Sequence, residues 1–307
     1  MSSQLMNAGA IVAALRPGVK DWFGLTYKDL PEEWKEIVQV MPSNMAYEKL
    51  ASISAFPVGV VRDEGEATSY VGTQQFITPI FTHLTYAFGF ILTRQHISDN
   101  VYMPLAEQKT KALARSMIKA REYVCANLLV QATNAAATMQ YGDGVSLANT
   151  AHPLGRGGTY SNMLSVGAPL SEASLEQLCI QIQKTVDDAN TIISLQPRKL
   201  IVTPESEYEA CRILKSDYRV GTPNNDINAL KYRGKLPEGF VINHFMPNNT
   251  QFWGIKTDAE NGLIYFDRWP LEIDNDADFD TENVKFKAVM RFSTGWGDAR
   301  GFFLGKQ

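Results

Sequence analysis

The period of the hydrophobic pattern changes several times along the chain. Between Pro104 and Gln140 no Gly or Pro intervenes after the first position, and Ala106, Leu113, Met117, Ala120, Val124 and Leu128 recur at spacings of three, four or seven. This is the apolar stripe of one amphipathic helix, opened by Pro104 and stopped by Tyr141-Gly142-Asp143-Gly144. At about 1.5 Å per residue it predicts a rod of roughly 54 Å. The opposite face carries Gln108, Lys111, Arg115, Lys119 and Glu122. With Lys109 and Arg121 beside it, this is a basic surface.

Elsewhere the period is closer to two. Pro57-Val58-Gly59-Val60-Val61, the polar Arg62-Asp63-Glu64-Gly65-Glu66 and the β-branched, aromatic run Thr68 to Thr93 predict a long β-hairpin. A two-stranded ribbon of that length has no core of its own, so it needs a partner surface. Residues 1–56 are aromatic-rich but broken by Pro17, Pro31 and Pro42, which predicts a segment lying along another surface. After a Gly-, Asn- and Ser-rich loop over 141–169, Ser171 caps a helix burying Leu175, Leu178, Cys179 and Ile182. A strand at 198–203, a helix to Lys215 and strands at 239–243 and 252–256 then predict a small α/β domain. The end of the chain reads as strands at 262–266 and 271–273, an acidic loop, and a strand from Val284 to Phe292 whose Lys285, Lys287 and Arg291 mark a wet face.

Composition narrows the classes. With 307 residues, 45% hydrophobic, and 29 Lys+Arg against 33 Asp+Glu, the chain is an ordered protein without a general pull toward nucleic acid or anionic membrane. A compact globule of this mass exposes about 13,000 Å². No basic segment precedes the first apolar stretch and no run of about 18 uncharged apolar residues occurs, so neither a signal peptide nor a membrane span is expected. Cys125, Cys179 and Cys211 are expected as reduced, buried thiols in a cytoplasm-like compartment.

Catalytic signals are sparse. The four His residues have no metal-ligand spacing, and none of the three Cys has a neighbouring His. His152, before Pro153 in the Gly-rich loop, is expected to stabilise a turn. Gly155-Arg156-Gly157-Gly158 lacks the ending of a P-loop and reads as a flexible loop. Asp274-Asn275-Asp276-Ala277-Asp278 begins like a calcium loop, but Phe279 stands where Gly is needed and Lys285 where the bidentate Glu is needed, so a solvated acidic turn is expected. Neither a metal nor a cofactor is expected.

Three passages carry a family resemblance: Asn149-Thr150-Ala151-His152-Pro153, Trp253-Gly254-Ile255-Lys256-Thr257-Asp258 with Gly262-Leu263, and Phe292-Ser293-Thr294-Gly295-Trp296-Gly297-Asp298-Ala299-Arg300-Gly301. In order and spacing they resemble tailed-bacteriophage major capsid proteins of the Hong Kong 97-like α+β fold, and most of all the Mu-like major head subunits. The resemblance implies an N-terminal arm (1–56), an extended β-hairpin or E-loop (57–96), a peripheral domain with a spine helix (97–145 and 257–307) and an axial α/β domain (146–256). It implies self-assembly into hexamers and pentamers of an icosahedral shell, in the virion and built in the bacterial host cytoplasm, around double-stranded DNA held without sequence specificity. A portal protein at one vertex and, for a product beginning at Met1, a separate scaffolding protein are further implied partners; no membrane is. Subunit contacts are expected from Val58, Val60, Val61, Phe76 and Ile77, with charged pairing from Arg62, Asp63, Glu64 and Glu66, and DNA-facing charge from Lys111, Arg115 and Lys119. With no Lys between Lys49 and Lys109, the hairpin cross-link made by some members is not expected. The alternatives are an encapsulin-like compartment shell, and an enzyme or ligand-binding protein using 146–256 with His152 as base.

Overall fold

The computed structural model describes residues 19–26, 31–51, 55–72, 78–98, 102–138, 141–219, 226–246, 251–278 and 281–306. A short helix α1 (Trp34–Ile37) leads into β1 (Gln39–Pro42) and β2 (Tyr47–Lys49). After 55–72 come β3 (Ile80–Thr82), β4 (Leu84–Leu92) and the long helix α2 (Tyr102–Val130). The middle of the chain holds β5 (His152–Pro153), β6 (Thr159–Tyr160), α3 (Glu172–Gln183), β7 (Pro197–Val202), α4 (Glu207–Lys215), β8 (Phe240–Ile242) and β9 (Trp253–Thr257). Three strands finish it: β10 (Leu263–Ala277), β11 (Val284–Trp296) and β12 (Phe302–Lys306).

Two four-stranded sheets organise these elements. The first runs β1-β10-β11-β4, antiparallel except for β1 against β10, and the second runs β12-β9-β7-β8. Along β11, Val284, Phe286, Ala288, Met290 and Phe292 point inward while Lys285 and Lys287 face water, as the alternation predicts. Ala288, Met290 and Phe292 meet Leu113, Met117, Cys125 and Leu129 of α2 in the main core, while Val284 and Phe286 pack with Ala106 and Leu92 in a smaller cluster. The second core lies beneath α3, with Leu175, Leu178 and Ile182 against Leu200, Val202 and Trp253. Ser171 caps α3 as predicted, its hydroxyl accepting from Ser174 N.

Several expectations are corrected. Helix α2 ends at Val130, ten residues early, because Asn134 Oδ1 accepts from Ala136 N and starts a new short helix at Ala135–Thr138. Residues 55–72 carry no strand; they hold a turn in which Glu66 N bonds Asp63 O, bridged by Arg62 NH1 donating to Thr68 Oγ1, and no ribbon pairing. Strand β4 pairs instead with β11, which offers the packed surface that a bare hairpin lacks. The expected strands at 262–266 and 271–273 are one bulged strand that also absorbs the acidic stretch: Asp274 and Asp276 stand opposite Lys287 and Lys285, so 274–277 is not a turn. Phe279 and Asp280 lie outside the described residues. Arg121 and Glu122, assigned to the wet face of the helix, are buried. Cys211 is exposed, whereas Cys125 and Cys179 are buried and burial pushes their thiols up to about 12 and about 11. The segment 31–42 packs within its own chain, with Trp34 and Ile37 in the main core and β1 in the first sheet. The last strand, β12, pairs with β9 and extends the second sheet.

The chain exposes 17,271 Å², well above the figure of about 13,000 Å² for a compact globule of its mass.

Candidate functional site

The three passages that carry the resemblance converge where the two sheets meet. Between β11 and β12 the chain crosses from one sheet to the other in only a few residues, and the crossing is tied down at each step. Gly297 N and Asp298 N bond Asn261 O at 3.0 and 2.8 Å, and Thr257 Oγ1 donates to Arg300 O at 2.5 Å. Gly262 and Gly301 touch backbone to backbone: a Cβ on Gly301 would stand 2.3 Å from Gly262 Cα. Gly142, at φ +58°, lies flat under the Trp296 ring.

The loop after α2 supplies the other half. His152 is fully buried, with Nδ1 2.6 Å from Asp143 Oδ2 and Nε2 3.0 Å from Asn162 Oδ1. Its ring stacks on Tyr160 and meets the edge of Trp296. Asn162 Nδ2 reaches the carbonyls of Leu147, Ala299 and Phe302, joining the loop to the crossing. Arg300 lies over the Tyr160 ring and bonds Asp188 at 2.9 Å and Asp298 at 3.3 Å. Burial pulls its proton affinity down, but Asp298, Tyr160 and Asp188 outweigh that and raise it.

A cavity of about 340 Å³ opens here, lined by Asp143, Tyr160, Asp188, Trp296, Asp298 and Arg300 among others. Its lining includes no Ser, Thr, Cys or Lys, and each carboxylate is paired with His152 or Arg300. Such a set fixes geometry, and both nitrogens of His152 are already engaged, by Asp143 and Asn162. Among the described residues no His, Cys, Asp and Glu group is arranged to hold a metal ion, and no helix is long and apolar enough to cross a membrane.

The other residues singled out in the sequence lie far from this junction in chemistry. Val58, Val60 and Val61 are 74, 73 and 95% exposed, and Arg62, Asp63, Glu64 and Glu66 are exposed beside them. Phe76 and Ile77 lie outside the described residues. Arg156 NH2 donates to Gly72 O, a tie between this loop and the rest of the chain. On α2, Lys111 pairs with Glu107 at 2.6 Å, and Arg115 and Lys119 point to solvent.

This arrangement is matched among known proteins. A profile of phage capsid proteins fits residues 78–304. The chain belongs to the phage capsid protein family. As a capsid protein it shares its fold with the capsid chain of an empty GTA particle (TM-score 0.56, 12% identity, covering 89% of this chain and 88% of that one). It is similar also to a chain from Mycobacterium phage Che8 (0.51, 14%, 91% and 89%) and to the virus-like particle from Pyrococcus furiosus (0.55, 8%, 93% and 97%). No curated protein matches the sequence. The α+β fold is the Hong Kong 97-like one expected.

The capsid protein's junction was only half legible in its sequence. His152 and the 292–301 passage stood out, but Asn162 acts through partners up to 140 residues away, and no spacing rule marks it. Glu122 and Arg121 were misassigned because helical periodicity places them one step from a wet face.

Proposed function

We propose that this protein is the structural major capsid subunit of a tailed-phage head, assembling with copies of itself as hexamers and pentamers of an icosahedral shell around double-stranded DNA. The observation that carries this reading is the loop 55–72. Val58, Val60, Val61 and Tyr70 stand in solvent, outside the hydrophobic clusters of the described residues, and apolar side chains gathered on one exposed loop fit a surface that another one covers. A neighbouring copy is that surface, with Arg62, Asp63, Glu64 and Glu66 supplying rim charge. Val58, Val60 and Val61, together with Phe76 and Ile77, form its apolar part. The role is structural and non-enzymatic. The segments 1–56, 57–96, 97–145 with 257–307, and 146–256 act as arm, E-loop, peripheral and axial parts. A separate scaffolding protein and a portal at one vertex complete assembly in the host cytoplasm, and the subunit is of the Mu-like head type. Lys111, Arg115 and Lys119 meet the DNA without reading its sequence.

An encapsulin-like compartment is the second reading, favoured by the similarity of fold to the Pyrococcus furiosus particle. One experiment separates the two. Particles purified from a host expressing the native gene neighbourhood, imaged by negative stain and treated with nuclease, are expected to retain protected double-stranded DNA of uniform length. Particles containing protein cargo and no protected DNA support the second reading, and a chain that stays monomeric with and without its neighbours sinks both.

A further inference from the structure

Residues 31–38 hold two parts of the molecule at once. On the side of α2, Glu122 accepts the N–H of Glu33 at 2.8 Å, and the amide of Trp34 faces the same carboxyl. Arg121 comes within 3.6 Å of Glu32 and lies 5.2 Å from the centre of the Trp34 ring. On the side of the second sheet, the Glu33 carboxylate accepts His244 N at 3.0 Å and sits 2.7 Å from its Nδ1. Lys199 bonds Glu36 at 2.5 Å, and Lys256 Nζ donates to Glu36 O at 3.3 Å. Beneath these polar ties Trp34 and Ile37 are buried in the main core. The segment is a strap from the long helix to the second sheet.

One tie differs in kind from the rest. The pairs of Glu36 and Glu33 each keep one exposed partner, Glu36 and His244, but Glu122 is completely buried and its Oε2 has no hydrogen-bond partner among the described residues. An ionised oxygen left in that position is costly. The groups facing it are Glu32, Glu33 and Lys35 from the strap, Arg121 and Cys125 from α2, His244 from the turn after β8, and, across Arg121, Tyr265 and Asp267 from β10. Among the described residues Arg121 is the buried cation at hand, and it is shared with Glu32 and lies over the rings of Trp34, Tyr265 and Phe292. Lys35 is turned to Glu32.

We propose that residues 31–38 form a proton-gated strap, closed across α2 and the second sheet when the Glu122 carboxyl is neutral and loosened when it ionises. Closing takes up one proton from solvent at Glu122, and opening returns it. Burial, with the charges of Glu33 and Glu32 adding to it, raises the Glu122 carboxyl from 4.5 to about 7, against the pull of the Glu33 and Trp34 amides. The closed state therefore keeps a proton that the open, solvated state has released. Closure is full below about 4.5, weakens as pH rises toward 7, and is constant above it.

Hydrogen exchange of the intact chain, read by mass spectrometry on peptides covering 31–38 and corrected for intrinsic exchange, tests this. Between pH 5 and pH 8 the opening equilibrium of the strap is expected to rise at least about tenfold, the effect of one unit of differential proton affinity. Glu122→Gln, a neutral side chain of the same shape, is expected to keep the strap protected at both pH values. His244→Gln is expected to keep the wild-type response, which separates Glu122 from the titratable partner that holds Glu33 from the turn after β8. Glu32→Gln, which removes a like charge at a partly buried position and frees Arg121, is expected to shrink the response and serves if the Glu122 variant does not fold. A wild-type strap indifferent to pH, a response that survives in Glu122→Gln or is unchanged in Glu32→Gln, or one abolished by His244→Gln overturns the proposal.

Discussion

Asn162 Oδ1 stands 3.0 Å from His152 Nε2, and that contact fixes which atom of the amide faces which way. Because Nδ2 already donates to the carbonyls of Leu147, Ala299 and Phe302, Oδ1 is the acceptor for both Asn149 N and the imidazole. One side chain thus joins the loop after α2 to the crossing between β11 and β12. Asn162→Asp replaces the donor by an oxygen facing three carbonyls and is expected to cost about 3 kcal/mol or more, each buried group left unsatisfied contributing roughly 1–3 kcal/mol. Urea unfolding of the isolated subunit measures it; a loss under about 1 kcal/mol would remove Asn162 as the tie.

His83 makes the first sheet sensitive to acid. It is buried between Ser43 Oγ and Ser293 Oγ, each 3.0 Å from a ring nitrogen, and Ser43 donates to Glu48 at 2.6 Å. Burial, and then the charges of Arg291 and Arg268, lower its proton affinity below the ordinary 6.5, with Glu48 opposing. The unfolded chain therefore binds a proton that the folded one refuses. This share of stability is present above about 6.5 and is lost as pH falls through the folded value. Relative to wild type, His83→Gln is expected to flatten the stability profile between pH 7 and 5, measured by thermal unfolding at fixed salt. An unchanged slope would show that His83 is not the sensor.

The loop 55–72 separates folding from assembly. Val60→Asp with Val61→Asp alters two side chains in open solvent and is expected to change subunit stability by less than about 0.5 kcal/mol. The same double variant is expected to abolish shells, seen by sedimentation and negative-stain microscopy. Normal shells from it would take these valines out of the interface.

On α2, Arg115→Glu with Lys119→Glu reverses two solvent-facing charges beyond the reach of the main core. Subunit unfolding and shell yield are expected to stay unchanged, while the length of packaged DNA falls and DNA release becomes less dependent on salt. Full-length packaged DNA would count against DNA contact by this face. Lys111→Glu is expected to act less cleanly, since it also breaks the pair with Glu107.

Periodicity alone determined much of this protein. It located the long helix, the capped helix α3, the alternation of β11 and the strand-and-helix order of the middle region, because each rests on side chains a few residues apart that must share one face. The order of three short passages was enough to point to the capsid family. What the tertiary structure decided are the relations that depend on a partner far along the chain. Strand β4 reads as half of a hairpin until β11 is beside it, and the acidic stretch reads as a turn until Lys285 and Lys287 lie across from it. Glu122 reads as wet until the strap covers it, and Asn162 is one polar residue in a loop until three carbonyls converge on it. Local pattern sets which faces are apolar, but burial of a polar group is an agreement between distant segments, and only their packing supplies the partners that make it affordable.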